Sequence, residues 1–321
     1  MKYYDLFNGD ADGLISLHQY RMFFPKNSKP ISGVKRDVKL LRHMLDVKNS
    51  NITVFDVSHR SNMDYVEPIL AKGNKITWFD HHEADYYITT SNFRMNLDTD
   101  PSCCTSWLVD QYIDGAHRPW TIAGAYGDNL DQLVERINPA FSQQTLDILK
   151  EVGQTLNYNG YGYEITDLTV DPVDVYNDMK QYESPFKYYM QSETFTTIRE
   201  QMLQDQRDLN SSEIMYDDTH CQVVLLPETK AAIRYSGIYS NQLTTDNPDK
   251  AFAVLTRVEG GYRISIRAPK NAPTGASGIA LQFPSGGGRE KAAGINLLPL
   301  KDYDTFLSKF IQQYSIYPVT D

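Results

Sequence analysis

Three clusters of acidic and histidine residues lie in the first third of the chain, each directly after an apolar run. The first is the segment Asn8–Gly13, which contains Asp10 and Asp12, the second contains Asp56, and the third is Asp80-His81-His82. Carboxylate oxygens bind hard divalent ions, imidazole suits Mn, Fe or Zn, and a pair of ions needs a shared carboxylate. The clusters, with Gly127-Asp128 as a fourth candidate, therefore predict a two-metal phosphoesterase site.

The aspartates in the first two clusters each have a simpler interpretation. Asp10 and Asp12 are two positions apart in a loop before a predicted helix, so they can bind two different ions. Asp12 can equally be the residue that caps this helix. Asp56 can bridge two cations at a strand end, or it can be a solvated residue at the sheet edge. The sequence leaves both alternatives open.

Asp80-His81-His82 is the most specific cluster, because adjacent histidines after an apolar strand are rarely needed for packing. One imidazole can ligate a metal ion while the other contacts a phosphoryl oxygen. Asp80 can fix the tautomer of a ring by accepting its hydrogen bond. The alternative is a pair of polar histidines in a surface loop.

The elements that position these clusters follow from the apolar pattern of residues 1 to 130. The predicted strands are Tyr3–Phe7, Ile31–Val34, Ile52–Val57 and Lys75–Phe79, and the predicted helices are Gly13–Phe24, Lys39–Leu45, Met63–Ala71, Ser102–Ile113 and Trp120–Tyr126. This alternation predicts an α/β fold with a mostly parallel, doubly wound sheet covered on both faces. Such sheets bind ligands beyond the carboxyl ends of their strands, which is where the clusters fall.

The length of 321 residues favours two domains. We expect an N-terminal domain over residues 1–185, a connecting helix or linker over 186–217, which includes the helix-permissive stretch Tyr188–Leu209, and a smaller α/β domain over 218–321. The active site is expected in the cleft between the domains. The second domain is predicted to contain strands Cys221–Leu226, Ala251–Arg257 and Tyr262–Arg267 and a closing helix Asp302–Tyr314. Residues 139–185 show no clear pattern.

A glycine-rich segment near the C-terminus is a candidate anion site. Gly286, Gly287 and Gly288 precede Arg289 and a predicted helix through Ala292-Ala293-Gly294. Glycines let backbone N–H groups approach an anion, and a guanidinium group can take a phosphate bidentately. Arg267 can add a second cation at the end of its predicted strand. The alternatives are a flexible turn for the glycines and an exposed strand end for Arg267.

Composition and charge limit the class of protein. The net charge of −10 argues against a protein that grips long nucleic acid by its overall field, so an anionic substrate must be held locally. Three cysteines, two of them adjacent, fit a reducing cytoplasm better than a disulfide framework. The chain shows no signal-peptide core and no stretch of transmembrane length, so we expect a cytoplasmic protein.

In this order, the clusters resemble the motifs of the DHH phosphoesterase family. The C-terminal Gly-Gly-Gly-Arg-x-x-Ala-Ala-Gly resembles the glycine motif of the DHH-associated domain. The family includes RecJ-type exonucleases, nanoRNA-degrading and 3′-phosphoadenosine 5′-phosphate phosphatases, cyclic-dinucleotide phosphodiesterases and exopolyphosphatases. The resemblance spans nearly the whole chain and implies that residues 1–185 bind the metal ions and residues 218–321 bind the substrate.

The resemblance also implies a role for each site residue. It implies two divalent ions, and Mn²⁺ is the expected ion, with Mg²⁺ as the alternative. The implied metal ligands are Asp10 for the first ion, Asp12, His81 and Asp128 for the second, and Asp56 as the bridge between them. The implied catalytic residue is His82, at the scissile phosphate, and Asp80, which can fix the tautomer of a ring, is the second expected catalytic residue. Gly286, Gly287, Gly288 and Arg289 would contact other groups of the substrate, and Arg267 is added to them as a candidate from its predicted strand end.

Two positions depart from the family pattern. RecJ-like members carry Asp where this chain has Asn8, and other branches carry His where it has Leu6, so weaker or water-mediated binding of the first ion is expected. The C-terminal motif usually has His where this chain has Arg289. Arginine stays charged and can donate two hydrogen bonds to one phosphate or carboxylate, so a different substrate preference is expected.

The expected substrate is a short oligonucleotide or a small nucleotide. Stable binding to a long duplex and association with a membrane are not expected, and a homodimer is left open. An exopolyphosphatase or pyrophosphatase is the alternative enzyme, and it would ignore the base. A hypothesis of another class is a catalytically weak relative that binds a nucleotide, which Asn8 and Arg289 favour.

Overall fold

The chain divides into two compact units, Met1–Gln201 and Met202–Asp321, in the computed structural model. The structure describes residues 1–84 and 90–315. Each unit has its own sheet, one of five strands and one of six, so the predicted α/β class is confirmed. The division falls within the stretch 186–217 that is expected to connect the domains. No helix in the described ranges is both long and apolar enough to cross a membrane.

The sheet of the first unit is parallel throughout, with the order β2-β1-β3-β4-β5. Its strands are β1 (Lys2–Phe7), β2 (Lys29–Ile31), β3 (Ser50–Phe55), β4 (Lys75–Asp80) and β5 (Phe93–Leu97). The order reverses between β1 and β3, and sheets of this kind bind ligands in the crevice at that point. The predicted strand Ile31–Val34 is wrong in position, because the pairing with β1 ends at Ile31. β5 is absent from the sequence prediction, since Arg94 and Asn96 interrupt its apolar run.

Helices surround this sheet and extend beyond it. They are α1 (Ala11–Phe23), α2 (His59–Leu70), α3 (Thr105–Tyr112), α4 (Arg118–Gly127), α5 (Asp131–Ile137), α6 (Gln143–Asn159), α7 (Pro172–Met179), α8 (Pro185–Gln191) and α9 (Glu193–Asp208). A short 3₁₀ helix, Leu40–Met44, replaces the predicted α-helix Lys39–Leu45. The helix expected over Tyr188–Leu209 is α8 and α9, with Ser192 between them accepting a hydrogen bond from the backbone N–H of Phe195.

Both faces of the parallel sheet are covered, as the alternation predicts. Leu6 and Val54 point to one face, where they join the buried cluster that includes residues of α2. Phe7 and Phe55 are buried on the other face, and the ring of Tyr20 from α1 lies 5.3 Å from that of Phe55. Because both faces are closed by apolar packing, the polar residues that follow the strands are gathered at the carboxyl edge.

Close packing of α6 against α4 depends on Gly153. A Cβ atom at this position would lie 2.0 Å from the carbonyl oxygen of Ala123 and 2.9 Å from the backbone nitrogen of Gly127. Both atoms belong to the backbone of α4, so they can move only if the helix moves. Since Asp128 directly follows α4, this contact also fixes the position of the Asp128 carboxylate.

The variant Gly153→Ala should therefore destabilise the protein by about 1–3 kcal/mol, the usual cost of overpacking. Gly278→Ala is the matched control, because no atom lies within 4 Å of a Cβ there and its φ is not left-handed. Urea unfolding of both variants measures the difference. Equal stability of the two variants would contradict the packing argument.

The sheet of the second unit is mixed, with the order β10-β11-β9-β8-β7-β6. Its strands are β6 (Glu213–Asp217), β7 (Cys221–Leu225), β8 (Ala251–Val258), β9 (Gly261–Arg267), β10 (Gly286–Arg289) and β11 (Ala292–Pro299), and its helices are α10 (Lys230–Asp246), α11 (Ala276–Ala280) and α12 (Tyr303–Tyr314). Only β7 and β8 pair in parallel, and α10 connects them. The predicted closing helix is confirmed as α12, which buries Phe306 and Phe310 in the core.

The glycine-rich segment is a β-hairpin, and the helix predicted through Ala292-Ala293-Gly294 is wrong. β10 and β11 pair antiparallel, with Gly288 opposite Ala293. A Cβ at Gly286 would lie 1.7 Å from the carbonyl oxygen of Ala280, and Gly288, at φ +138°, would place one 2.4 Å from the Cα of Ala293. These two glycines are therefore required by close backbone approach. An anion site at the start of a helix, the first argument for this segment, does not exist here.

Candidate metal centre

The carboxylates predicted to bind metal converge at the carboxyl edge of the parallel sheet. Asp10 and Asp12 follow β1, Asp56 follows β3, and Asp128 arrives from the end of α4. The first three are at most 2% exposed, and the Asp128 side chain is 15% exposed. Ligand atoms of Asp12, His81 and Asp128 lie within 4.8 Å of one another.

Asp10 and Asp12 accept hydrogen bonds from the first turns of two different helices. Asp10 caps α1, because its Oδ1 accepts a hydrogen bond of 3.1 Å from the backbone N–H of Gly13. The interpretation that Asp12 is this cap is therefore wrong. The Asp12 carboxylate lies instead at the start of α3, where it accepts hydrogen bonds from the backbone N–H groups of Thr105, at 2.7 Å, and Ser106, at 2.8 Å.

Asp56 lies between these carboxylates and the histidines. Its φ of +57° is left-handed, a conformation that Asp and Asn tolerate better than most residues. The hydroxyl of Thr105 donates to its Oδ1 at 3.1 Å, and the same oxygen is 3.4 Å from His81 Nε2. Asp56, His81 and His82 form a second group whose ligand atoms lie within 4.8 Å of one another. The residue common to the two groups is His81, and Asp56 lies next to it, so the shared-ligand role of Asp56 stays a prediction.

His81 is oriented as a metal ligand. Its Nδ1–H donates to the carbonyl oxygen of Cys103 at 2.8 Å. In the neutral ring the lone pair is therefore on Nε2, which faces Asp56 Oδ1 at 3.4 Å and Asp128 Oδ2 at 3.8 Å. A backbone carbonyl that fixes the tautomer in this way is typical of histidines that bind metal ions.

Asp80 holds the histidine loop and not the ion position. Its Oδ1 accepts hydrogen bonds from the backbone N–H groups of His81 and His82 and, at 2.7 Å, from His82 Nδ1. Its Oδ2 accepts one from the backbone N–H of His59 at the start of α2. The His82 side chain remains 43% exposed with its Nε2 unused by Asp80, so this ring can reach a bound substrate.

Burial and mutual repulsion shift the pKa values of the acidic ligands. Burial raises the pKa of Asp12 to about 7, and the charge of Asp56 adds to the shift. Burial and the charge of Asp12 raise the pKa of Asp128 to about 7, and burial with the charge of Asp10 raises that of Asp56 to about 6. Without a metal ion, these carboxyls therefore bind protons near neutral pH.

The two histidines shift in the direction that keeps them protonated. Burial alone would lower the pKa of His81, but the hydrogen bond and charge of Asp56 outweigh it and raise the pKa to about 11. Burial alone would also lower the pKa of His82, but the hydrogen bond to Asp80 outweighs it and raises the pKa to about 9. An ion that binds to His81 must therefore displace a proton.

Binding of Mn²⁺ should consequently strengthen with pH. Asp12 and Asp128 lose their protons as the pH rises through about 7, so fewer protons must be displaced at pH 8 than at pH 6. We expect the affinity to rise at least about tenfold between these pH values. Calorimetry in buffers of different ionisation enthalpy measures both the affinity and the protons released. A constant affinity without proton release would contradict the assignment of these ligands.

Lys35 is a candidate that the sequence analysis missed. Its Nζ lies 2.6 Å from Asp10 Oδ2 and 3.8 Å from Asp128 Oδ1, and it donates to Asn157 Oδ1 at 2.9 Å. Burial opposes its charge, but Asp10 raises the pKa of Lys35 well above its usual value. The predicted strand Ile31–Val34 ends directly before Lys35, so the strand-end rule that located the carboxylates could have found it.

The predicted substrate residues of the second unit share one face of its sheet. Arg289 pairs with Ala292, which pairs in turn with Arg267 on β9. Gly287 pairs with Gly294 two positions along, and residues two apart in a strand point to the same face. A Cβ at Gly287 would meet no atom within 4 Å. The result is a smooth surface beside two arginines, which we call the glycine face.

The other two predicted glycines do not contribute to this surface. Gly286 and Gly288 alternate with Gly287, so they point away from the glycine face and lie against Ala280 and Ala293. Arg267 is held in place, because its Nε donates to Asn241 Oδ1 at 2.8 Å. Arg289 is exposed. Gly287 and the two arginines are therefore the predicted residues that can meet a ligand.

The sequence matches no protein-family model and no curated protein sequence. The structure is nevertheless similar to RecJ in complex with Mn²⁺ from Thermus thermophilus, with a TM-score of 0.63 and 12% identity over 99% of this chain. This chain spans only 52% of that RecJ chain.

Two other structures match more of their own length. One is a pGpG-specific phosphodiesterase from Vibrio cholerae, with a TM-score of 0.59, 13% identity and coverage of 97% of this chain and 98% of that chain. The other is the DHH domain of a member of a ribosomal-protein family, with a TM-score of 0.59, 12% identity and coverage of 97% and 86%. The chain has the fold of the DHH phosphoesterases, as its motifs predict.

Proposed function

We propose that this chain is a metal-dependent hydrolase of phosphoric ester bonds. The observation that supports this most strongly is the convergence of Asp12, Asp56, His81 and Asp128 at one edge of the parallel sheet. Three carboxylates and one imidazole suit Mn²⁺ best and accept Mg²⁺ as the alternative. A fold shared with Mn²⁺-bound RecJ supports the same choice of ion.

Each residue of the centre has a distinct role in this proposal. Asp12, His81 and Asp128 would hold a divalent ion, and Asp56 would be the ligand that faces both sides of the centre. Such an ion supplies Lewis acidity that activates water and offsets charge on the phosphoryl group. His82, protonated because its pKa is raised to about 9 and oriented by Asp80, donates to a phosphoryl oxygen and stabilises its negative charge.

The groups on the two sides of Asp56 differ in how much negative charge is available to bind an ion. On the side of Asp12, ligand atoms of three residues lie within 4.8 Å of one another, whereas on the side of Asp10 the carboxylate already pairs with the Lys35 ammonium at 2.6 Å. The resemblance implies two divalent ions. We propose a divalent ion on the Asp12 side and a second positive charge on the Asp10 side.

The proposed substrate is a short oligonucleotide or a small nucleotide. The net charge of −10 disfavours a long polyanion, and a neighbour that matches over 98% of its own length is a pGpG-specific phosphodiesterase. Arg289, Arg267 and the open surface at Gly287 would contact parts of the substrate other than the scissile phosphate. A surface of glycine and small residues beside guanidinium groups suits a phosphate or a planar base.

Asp56→Asn should lower phosphoester hydrolysis at least about 100-fold, because it removes the shared negative charge from the centre. Asparagine keeps the size of the side chain and tolerates the left-handed backbone at this position, so the fold should persist. Asp46→Asn, at a fully exposed aspartate, is the control and should retain activity. Turnover of Asp56→Asn at the rate of this control would contradict the assigned centre.

A substrate panel separates the nucleotide proposal from the polyphosphate alternative. It contains short RNA and DNA oligomers, a linear dinucleotide, 3′-phosphoadenosine 5′-phosphate, a cyclic dinucleotide and polyphosphate, each with Mn²⁺ and after chelation. We expect Mn²⁺-dependent release of mononucleotide or phosphate from a base-bearing substrate. Faster hydrolysis of polyphosphate would favour the alternative enzyme. Tight nucleotide binding without turnover would favour the non-catalytic relative.

A further inference from the structure

The Asp10 carboxylate has a cationic partner of its own within the chain. The Lys35 ammonium is 2.6 Å from Asp10 Oδ2, donates to Asn157 Oδ1 at 2.9 Å and lies 3.8 Å from Asp128 Oδ1. The Lys35 ammonium also lies over the ring of Tyr161, with Nζ 5.5 Å from the ring centroid. The ammonium is thus enclosed by two carboxylates, an amide oxygen and an aromatic ring, the groups that stabilise a buried cation.

The main chain of Lys35 is also fixed. Its backbone N–H donates to the carbonyl oxygen of Gly160 at 2.9 Å, and its own carbonyl oxygen accepts a hydrogen bond of 3.5 Å from Asn8 Nδ2. Gly160 lies directly on Asp10, since a Cβ there would be 3.0 Å from the Asp10 Cα. Lys35 is therefore anchored through residues that themselves contact the first cluster, and its side chain is only 28% exposed.

The residues on this side of Asp56 do not fit a divalent ion while Lys35 is in place. The oxygens near the position belong to Asp10, which the ammonium already contacts, to Asp56, which contacts Asp10, to Asp128, which is assigned to the other ion, and to the neutral amide of Asn157. The adjacent Asn8 has an Oδ1 that is buried without a hydrogen-bond partner among the described residues. The Asn8 oxygen is neutral, so it adds no charge to hold an ion. A divalent ion and an ammonium sharing one carboxylate would also repel each other.

We propose that the Lys35 ammonium takes the place of the first divalent ion, so that this centre works with one divalent ion and one positive charge built into the chain. The proposal rests on the function proposed above and specifies its cations. Lys35 supplies charge and hydrogen-bond donors beside Asp10 whether or not metal is present. It supplies no open coordination position, so all Lewis acidity must come from the ion on the side of Asp12, His81 and Asp128.

The number of bound ions tests the proposal without reference to turnover. Purified wild-type protein is dialysed against Mn²⁺, its bound metal is counted by mass spectrometry, and its Mn²⁺ electron paramagnetic resonance spectrum is recorded. We expect one ion per chain and the spectrum of an isolated Mn²⁺. Two ions per chain, with the spectrum of a coupled pair, would overturn the proposal.

Variants at Lys35 identify the residue responsible. Lys35→Met removes the charge but keeps the length of the side chain, so Asp10 becomes available and a second ion should bind at least about tenfold more tightly than to the wild type. Lys35→Arg keeps the charge and should keep one ion. Lys48→Met, at an exposed lysine, is the control for the loss of a lysine elsewhere. A count of one ion in Lys35→Met, unchanged from Lys48→Met, would overturn the proposal.

The outcomes separate this inference from the proposed function. Thermal unfolding shows whether Lys35→Met is folded, and if it is not, the wild-type ion count still decides. One ion per chain, a second ion in Lys35→Met and no hydrolysis of any substrate would support the role of Lys35 and contradict the enzyme. Two ions in the wild type together with hydrolysis would support the enzyme and contradict the role of Lys35.

Discussion

Repulsion among buried carboxylates is the constraint around which the first unit is built. Asp10, Asp12, Asp56 and Asp80 are almost fully buried at one edge of the sheet. Charges this close stay ionised only where hydrogen bonds or cations stabilise them. The fold supplies the hydrogen bonds from helix starts: α1 donates to Asp10, α2 to Asp80 and α3 to Asp12. Burial, and after it the charge of neighbouring carboxylates, still raises the pKa values of Asp12, Asp56 and Asp128.

The parallel sheet makes this arrangement achievable, because each strand delivers its chain to the same edge and a following helix begins there. The packing of the backbone then sets the distances. Gly13 lets α1 begin against the carbonyl oxygen of Asn8, which a Cβ would approach to 2.2 Å, and Gly153 lets α6 press on α4 just before Asp128. A divalent ion would complete the centre by supplying the positive charge that the helix starts lack, which explains why ion and proton compete for the same carboxylates.

Lys35 in the first unit and the glycine face in the second unit are the two features in which single residues set the local chemistry. On the Asp10 side, the Lys35 ammonium donates to Asn157 and supplies positive charge from within the chain, while the backbone N–H of Lys35 donates to Gly160. In the second unit, alternation along β10 turns Gly287 to one face and Gly286 and Gly288 toward the backbone packed on the other. One glycine run therefore provides both a tightly packed hairpin and an open surface beside Arg289.

The sequence by itself determined the class of fold and the aspartates and histidines that follow β1, β3 and β4, because strand–helix alternation and residues at strand ends are local patterns. It did not determine which helix start donates to each carboxylate. Asp10 and not Asp12 caps α1, and Asp12 accepts its hydrogen bonds from α3, which is distant in the chain. Nor did it distinguish strand from helix at Ala292, where hairpin pairing overrides the helix preference of alanine. The strand-end rule could have marked Lys35 as a candidate, but only the tertiary structure showed its partners Asp10, Asn157 and Asp128, because they come from three separate parts of the chain.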